Sequence, residues 1–370
     1  MKVIQILPEL NAGGVERGTL EVAARLVAEG HESIVISNGG RLVVDLERAG
    51  SRHFRMPVHR KSLASLAQVV ALRKIFVRER PDIIHLRSRM PAWLAWLAWK
   101  SMDSRTRPRL VTTVHGFYSV NGYSAIMTRG EAVIAVSESV KDYILKNYPK
   151  TDSSIVRVIH RGVDEKAVYP QGFVPAAEWL EKWEAAHPTL EGRIPLLMPA
   201  RLTRWKGQVD FIRLIAKLIE QGLPVHGLIV GEPHPKKLAF LDELESLADT
   251  LGVKWHISFL GHRADLREIM AVSAVVYSLS IAPEAFGRVS LEALSLGKPV
   301  VAYDHGGVGE QLRVLFPQGL VKPGDLQSAI DLTRKILKDT ARPVTNQVFT
   351  LTRMLDSTLD SYRTLLTRPR

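Results

Sequence analysis

The sequence predicts an α/β chain made of two doubly wound units, each a parallel sheet with helices on both faces. Three observations predict it. At 370 residues the chain is too long for one ordinary core, at roughly 100 to 200 residues per domain. Short β-branched runs alternate with segments of helical period, the pattern that builds parallel sheets through crossover helices. That alternation breaks off at a proline-rich stretch and then begins again.

Taken in order, strands are expected at 3–7, 33–37, 82–86, 109–114, 132–136 and 156–159, with helices over 18–29, 62–80 and 91–100 between the earlier ones. The break lies within 162–193, where Pro170, Pro175 and Pro188 interrupt a polar, tryptophan-containing segment. The second alternation has strands at 194–199, 225–230, 257–260, 275–277 and 299–301, and helices at 208–221, 237–251, 264–273 and 289–296. The boundary is placed near Tyr169, giving domains of 1–168 and 169–345. An amphipathic helix within 346–370 follows, set either to cap the second domain or to cross back onto the first.

Hydrophobic residues make up 46% and charged residues 24%, a globular balance, and no apolar run approaches the roughly 18 residues that span a bilayer. The opening MKVIQILPEL runs straight into a Gly-rich turn without a small-residue cleavage site, so it reads as a first strand, and a cytoplasmic location is expected. With no cysteine, disulfides, thiolate metal sites and cysteine nucleophiles are excluded. The net charge of +12 calls for anionic partners: phosphates, nucleic acid or an acidic membrane surface. Doubly wound sheets bind ligands at the carboxyl ends of their strands, so the chemistry is sought in βα loops, and two facing sheets would share one crevice.

Three stretches carry that chemistry. Gly13 and Gly14 stand at the mouth of the first helix, where bare backbone can approach a phosphate, although a plain tight turn accounts for them equally well. Their spacing departs from G-x-G-x-x-G, which argues against NAD. Arg201 and Lys206, five residues apart on a strand-to-helix loop, can converge on one diphosphate or simply line a solvated basic loop. In PEAFGRVSLEALSLGKP, Glu284 and Glu292 are eight apart, too far round a helix to share a face, so they fit better on a loop and a helix. The amides of Phe286, Gly287, Val289 and Ser290 then open a helix N-terminus, a further anion site.

The last stretch resembles the E-x7-E signature of the family 4 glycosyltransferases, whose fold, called GT-B, has two facing Rossmann-like domains. The segments GGVERGTLEVAARLVAEGH, VTTVHG, VIAVSESV, HRGVD, PARLTRWKG, FLGHRAD and GGVGE are similar to that family's in order and spacing, over nearly the whole chain. The resemblance implies that Glu292 binds the ribose hydroxyls of a nucleotide-sugar donor of UDP, GDP or ADP type. Glu284 would lie near the transferred sugar with the amides of Phe286 and Gly287. Arg201 and Lys206 would grip the diphosphate, Gly13 and Gly14 would offer it amides from the first domain, and His115 would sit near the donor sugar and leaving phosphate, where an ordinary structural histidine is otherwise the plainer account. Two departures stand out: Gly231-Glu232-Pro233 lacks a second glycine, and Arg161 replaces the commoner Asn before Gly162.

The resemblance further implies transfer with retention, without a metal or other cofactor, since Arg201, Lys206 and helix N-termini supply positive charge. A front-face mechanism is favoured over a double displacement in which Glu284 is the nucleophile. His85, Arg87 and Arg89 are candidates for binding a glycan or glycolipid acceptor, beside a solvated basic loop as the plainer account. Trp93, Trp96 and Trp99 form a stripe better suited to core packing. Basic residues across the first half, including Lys61, Arg73, Lys74, Arg78 and Arg80, suggest contact with an anionic membrane. Within the family, the opening and HLRSRMPAWLAW look most like bacterial enzymes of lipopolysaccharide core or other surface glycans. The rival readings are a nucleotide-sugar epimerase of the same fold, a silent sugar-nucleotide binder and a nucleic-acid-binding protein; for the last, interleaved aromatic and cationic platforms are missing from the sequence.

Overall fold

Extended β-branched runs linked by helices can satisfy their backbone groups only by parallel pairing, because a short hairpin is unavailable to them. A computed structural model of the chain, describing residues 1–11, 13–60, 63–233, 239–339 and 341–369, forms two compact units. One comprises Met1–Arg161 with Thr352–Arg370, the other Gly162–Leu351.

The first unit is a sheet of β1 (Lys2–Ile6), β2 (Glu32–Ser37), β3 (Arg52–Arg55), β4 (Ile83–Leu86), β5 (Arg109–Val114), β6 (Ala132–Ala135) and β7 (Val156–Val158). Its order is β3-β2-β1-β4-β5-β6-β7, with every pairing parallel. The second unit contains β8 (Ile194–Pro199), β9 (Val225–Val230), β10 (Ile257–Phe259), β11 (Val275–Ser278), β12 (Val300–Tyr303) and β13 (Leu320–Val321). It is ordered β10-β9-β8-β11-β12-β13, again all parallel. Central strands are buried on both faces, as Val3, Ile4, Ile83 and Ile84 are in the first sheet and Leu196, Leu197, Leu228 and Ile229 in the second, which is why they read as unbroken apolar runs. In each sheet the strand order reverses once, between β1 and β4 and between β8 and β11. At such a switch point the two neighbouring loops diverge and leave a crevice at the carboxyl ends of the strands.

The sequence reading missed two edge strands. β3, with the sequence RHFR, has no apolar alternation, and β13 is two residues long. Helices Val43–Arg48, Glu138–Asn147, Ala177–Ala186, Gly306–Leu315 and Leu326–Lys338 were also missed. The helix starts expected at Ser62 and Lys237, and the cation Lys61, lie outside the described residues.

The unit boundary falls at Arg161/Gly162, earlier than the expected Tyr169. The cause is a short parallel bridge between Val163 and Thr350, with Val163 N–H donating to Phe349 O at 3.2 Å and Leu351 N–H to Val163 O at 2.8 Å. Residues 162–168 are therefore already tied into the second unit. Trp179 and Trp183 of the presumed linker stack at 5.1 Å on the helix Ala177–Ala186 inside that unit. The final helix, Leu351–Thr367, packs on the first unit: Arg25 pairs with Asp356 at 2.7 Å and Glu29 with Arg363 at 2.6 Å.

Candidate active site

In the second unit, the loops after β8 and β11 flank the switch point and carry the chemistry. After β8, residues Arg204–Lys206 make one 3-10 turn and Gly207 reverses the chain into the helix Gln208–Glu220. Gly207 has φ +86° and a Cβ there would stand 1.9 Å from Leu279 O, so only glycine lets this loop close on the loop after β11. That closure brings Lys206 Nζ to 2.7 Å from Glu284 Oε2. The other carboxylate oxygen of Glu284 accepts from Ser280 Oγ at 2.6 Å and, more distantly, from Ser278 Oγ at 3.5 Å. The loop backbone is pinned as well: Gly307 N–H donates to Glu284 O at 2.8 Å, and His305 Nε2 lies 2.7 Å from Ser280 O.

Three residues beyond Glu284, Gly287 (φ +83°) is the N-cap of the helix Arg288–Ser295. Its N-terminal residues line the same cavity as Glu284, where the helix dipole favours an anion. Lys206, Glu284, Gly287, Val289 and Ser290 line one small cavity of about 50 Å³. Glu292, one turn into the helix, is 5% exposed and lies 3.5 Å from Arg288 Nε. Phe286 packs edge-on to Phe349 with ring centroids 6.1 Å apart, while Gln311 holds its carbonyl at 2.5 Å.

In the first unit, a buried polar cluster gathers where β1, β4 and β5 end. Arg87, 2% exposed, donates from Nε to Gln5 Oε1 at 2.8 Å and lies near the Tyr362 hydroxyl of the last helix. Burial pushes the Tyr362 hydroxyl up to about 12, so it stays protonated. His85 lies between two hydroxyls, its Nδ1 2.6 Å from Tyr362 Oη and its Nε2 2.6 Å from Thr113 Oγ1, each of which can donate or accept. His115, immediately after β5, has Nδ1 2.6 Å from an Arg161 guanidinium nitrogen. Burial, then the charges of Arg161 and Arg87 and neighbouring His85, hold the His115 imidazole well below the ordinary histidine range, hence neutral. Its Nε2 is sheltered from solvent and has no hydrogen-bond partner among the described residues.

Family models match this chain in both halves: "Glycosyltransferase Family 4" over residues 12–167 and "Glycosyl transferases group 1" over 181–347. The chain belongs to the family 4 glycosyltransferases. A solved glycosyltransferase from Rickettsia africae is 30% identical to it with TM-score 0.86, covering 100% of this chain and 99% of that one. Anabaena HepE, solved in complex with UDP and glucose, is 22% identical with TM-score 0.82 over 98% of this glycosyltransferase and 100% of its own chain, a likeness of fold. Among curated relatives, one component of the human phosphatidylinositol N-acetylglucosaminyltransferase is 25% identical over 326 residues, 84% of this chain. The match spans 62% of that human protein's length.

Set against the sequence expectations, this glycosyltransferase brings Lys206, Glu284, Gly287, Val289 and Ser290 to one cavity. Arg201 is exposed outside that lining, although its carbonyl accepts from Gln208 Nε2 at 3.0 Å. Gly13 and Gly14 are exposed at the N-terminus of Gly14–Ala28, with the Glu16 carboxylate folded back toward Gly13. The expectation that His85 and Arg87 face an acceptor is corrected by their burial: both are consumed by the interior network. Arg89 is half-buried, stacks over Tyr118 at 4.6 Å and donates to Ser124 Oγ at 3.1 Å. Trp99 is core, its Nε1–H donating to Pro108 O at 2.7 Å, whereas Trp93 and Trp96 are half-buried beneath Arg129. Sequence reading missed Ser280, Arg288 and Tyr362, none of which stands out by type or spacing; Arg161 had been noticed only as a departure.

Proposed function

We propose that this enzyme transfers a sugar from a nucleotide-diphosphate sugar to a glycan or glycolipid acceptor with retention of configuration and without a metal, in bacterial lipopolysaccharide core or other surface-glycan synthesis. The observation that carries the reading is the Lys206–Glu284 pair at the switch point, set against the open N-terminus of Arg288–Ser295. A diphosphate entering there would meet a lysine and the positive end of a helix dipole, charges already in place for the leaving group. HepE's complexes with UDP and UDP-glucose make UDP the first base to try.

Both oxygens of Glu284 are engaged, by Lys206 and Ser280. A carboxylate so held is a poor nucleophile, which supports the front-face route in which the leaving phosphate takes the acceptor proton. A peripheral contact with anionic lipid at the inner face of the cytoplasmic membrane is supported by the helix Ala67–Glu79 and its flanks, where Leu66, Val70 and Val77 are exposed beside Arg73, Lys74, Arg78 and Arg80. Among the described residues no helix is long and apolar enough to cross a membrane.

A thermal-shift screen against UDP, GDP, ADP, CMP and their sugar conjugates tests the reading. One diphosphate nucleotide should raise Tm, by a few degrees at ~100 Kd, and both Lys206→Ala and Glu292→Ala should weaken the response. No response to any nucleotide would overturn it.

A further inference from the structure

Arg161 occupies a position fixed by three elements. Its guanidinium lies over Gly18 of the first helix, where an added Cβ would stand 2.6 Å from one of its nitrogens. The same group reaches Met354 Sδ of the last helix at 3.8 Å and His115 Nδ1 at 2.6 Å. A guanidinium has donors only, so His115 Nδ1 must accept. A neutral imidazole accepting at Nδ1 carries its proton on Nε2, the nitrogen that has no partner among the described residues.

We propose that Arg161 is a positioning residue: seated in the space that Gly18 leaves, it holds His115 as the Nε2–H tautomer and so confines the imidazole to donating a hydrogen bond during sugar transfer. The part concerning transfer rests on the function proposed above. On this assignment His115 takes no proton from the acceptor hydroxyl, because its Nε2 already carries one and can only donate a hydrogen bond. The charged and titratable groups around the ring are Arg161, Arg87 and His85, with the Tyr118 hydroxyl 3.2 Å from the His115 amide. The three named first all disfavour a second proton on the ring.

The test is a long-range proton–nitrogen NMR spectrum of the full-length protein with nitrogen-15 histidine, His115 being assigned by the loss of its signals in His115→Gln. The wild type should show a neutral Nε2–H ring that does not titrate near the ordinary value of about 6.5. Arg161→Met should give mixed tautomers and a ring that titrates closer to that value. Gly18→Ala keeps the arginine but fills its seat, and a helix tolerates alanine well, so it should shift the tautomer even if Arg161→Met folds poorly. An Nδ1–H ring in the wild type, or spectra unchanged in both variants, would overturn the proposal. These spectra need no donor, so a failed nucleotide screen leaves the result for Arg161 standing. Once a donor is known, Arg161→Met should lower kcat by about 10–100-fold, the usual scale for a residue that orients a reacting group, and add an acid limb to the kcat–pH profile that the wild type lacks.

Discussion

The two units handle charge in opposite ways. In the second, a lysine and a carboxylate neutralise each other at the rim of a small cavity, 14% and 18% exposed, both on loops beside one switch point. In the first, Arg87 and neutral His85 are buried and neutral His115 is half-buried, tied by hydrogen bonds with Gln5, Tyr362, Thr113 and Arg161. A partly exposed ion pair contributes little to stability and can exchange its partner for a ligand. A buried network cannot lose a member cheaply, because the remaining group keeps its desolvation cost. The difference separates a part of the molecule built to bind from a part built to hold a ring in place.

Three substitutions bear on that contrast, the largest effect first. Lys206→Ala should cut kcat by about 10²–10³-fold, the scale seen when one preorganised charge-stabilising group is lost, with little change in the urea midpoint. Steady-state transfer assays and urea unfolding on the same preparations would settle it; a collapse in stability with kcat retained would break the contrast.

Acid should act on both units through buried neutral histidines. Burial chiefly pushes His226 of β9 down to about 4, and its Nε2 lies 2.8 Å from Ser258 Oγ. The unfolded chain binds a proton there near 6.5 and the folded one does not, so this contribution is complete above about 6.5 and fades as pH falls toward 4. By pH 5 the loss amounts to ~2 kcal/mol. Urea unfolding of His226→Gln at pH 7 and pH 5 should show a shallower fall than the wild type; an equal fall would assign the acid sensitivity elsewhere.

Smaller still, Tyr362→Phe strips a partner from buried His85 and should cost about 1–3 kcal/mol with KM for the donor unaltered. An unchanged urea midpoint would show that the last helix does not close this network.

How legible each unit was in the sequence follows the same division. Lys206 and Glu284 belong to contiguous motifs on loops that any strand-ending rule locates, and β5, β8 and β9 were placed to the residue by their apolar runs. The network of the first unit was not, because its bonds join residues far apart in the chain: 277 positions separate His85 from Tyr362, and 46 separate His115 from Arg161. His85 and Arg87 looked like surface residues because charged and polar types usually are; only the fold supplies the partners that let them go inside. β3 escaped because two arginines and a histidine mask an edge strand that needs burial on one side only, and Gly306–Leu315 because its glycine-rich start reads as a loop.

The last helix belongs to the first unit yet is made after the whole of Gly162–Leu351. During synthesis, then, the second unit is the one with a contiguous chain, and it can finish folding while the earlier one still waits for its closing piece. Until Tyr362 arrives, Arg87 has Gln5 and His85 has Thr113, but the hydroxyl that closes the far side of His85 is missing. A chain cut before Leu351–Thr367 is therefore expected to keep a protease-resistant second unit and to show a more readily cleaved first one.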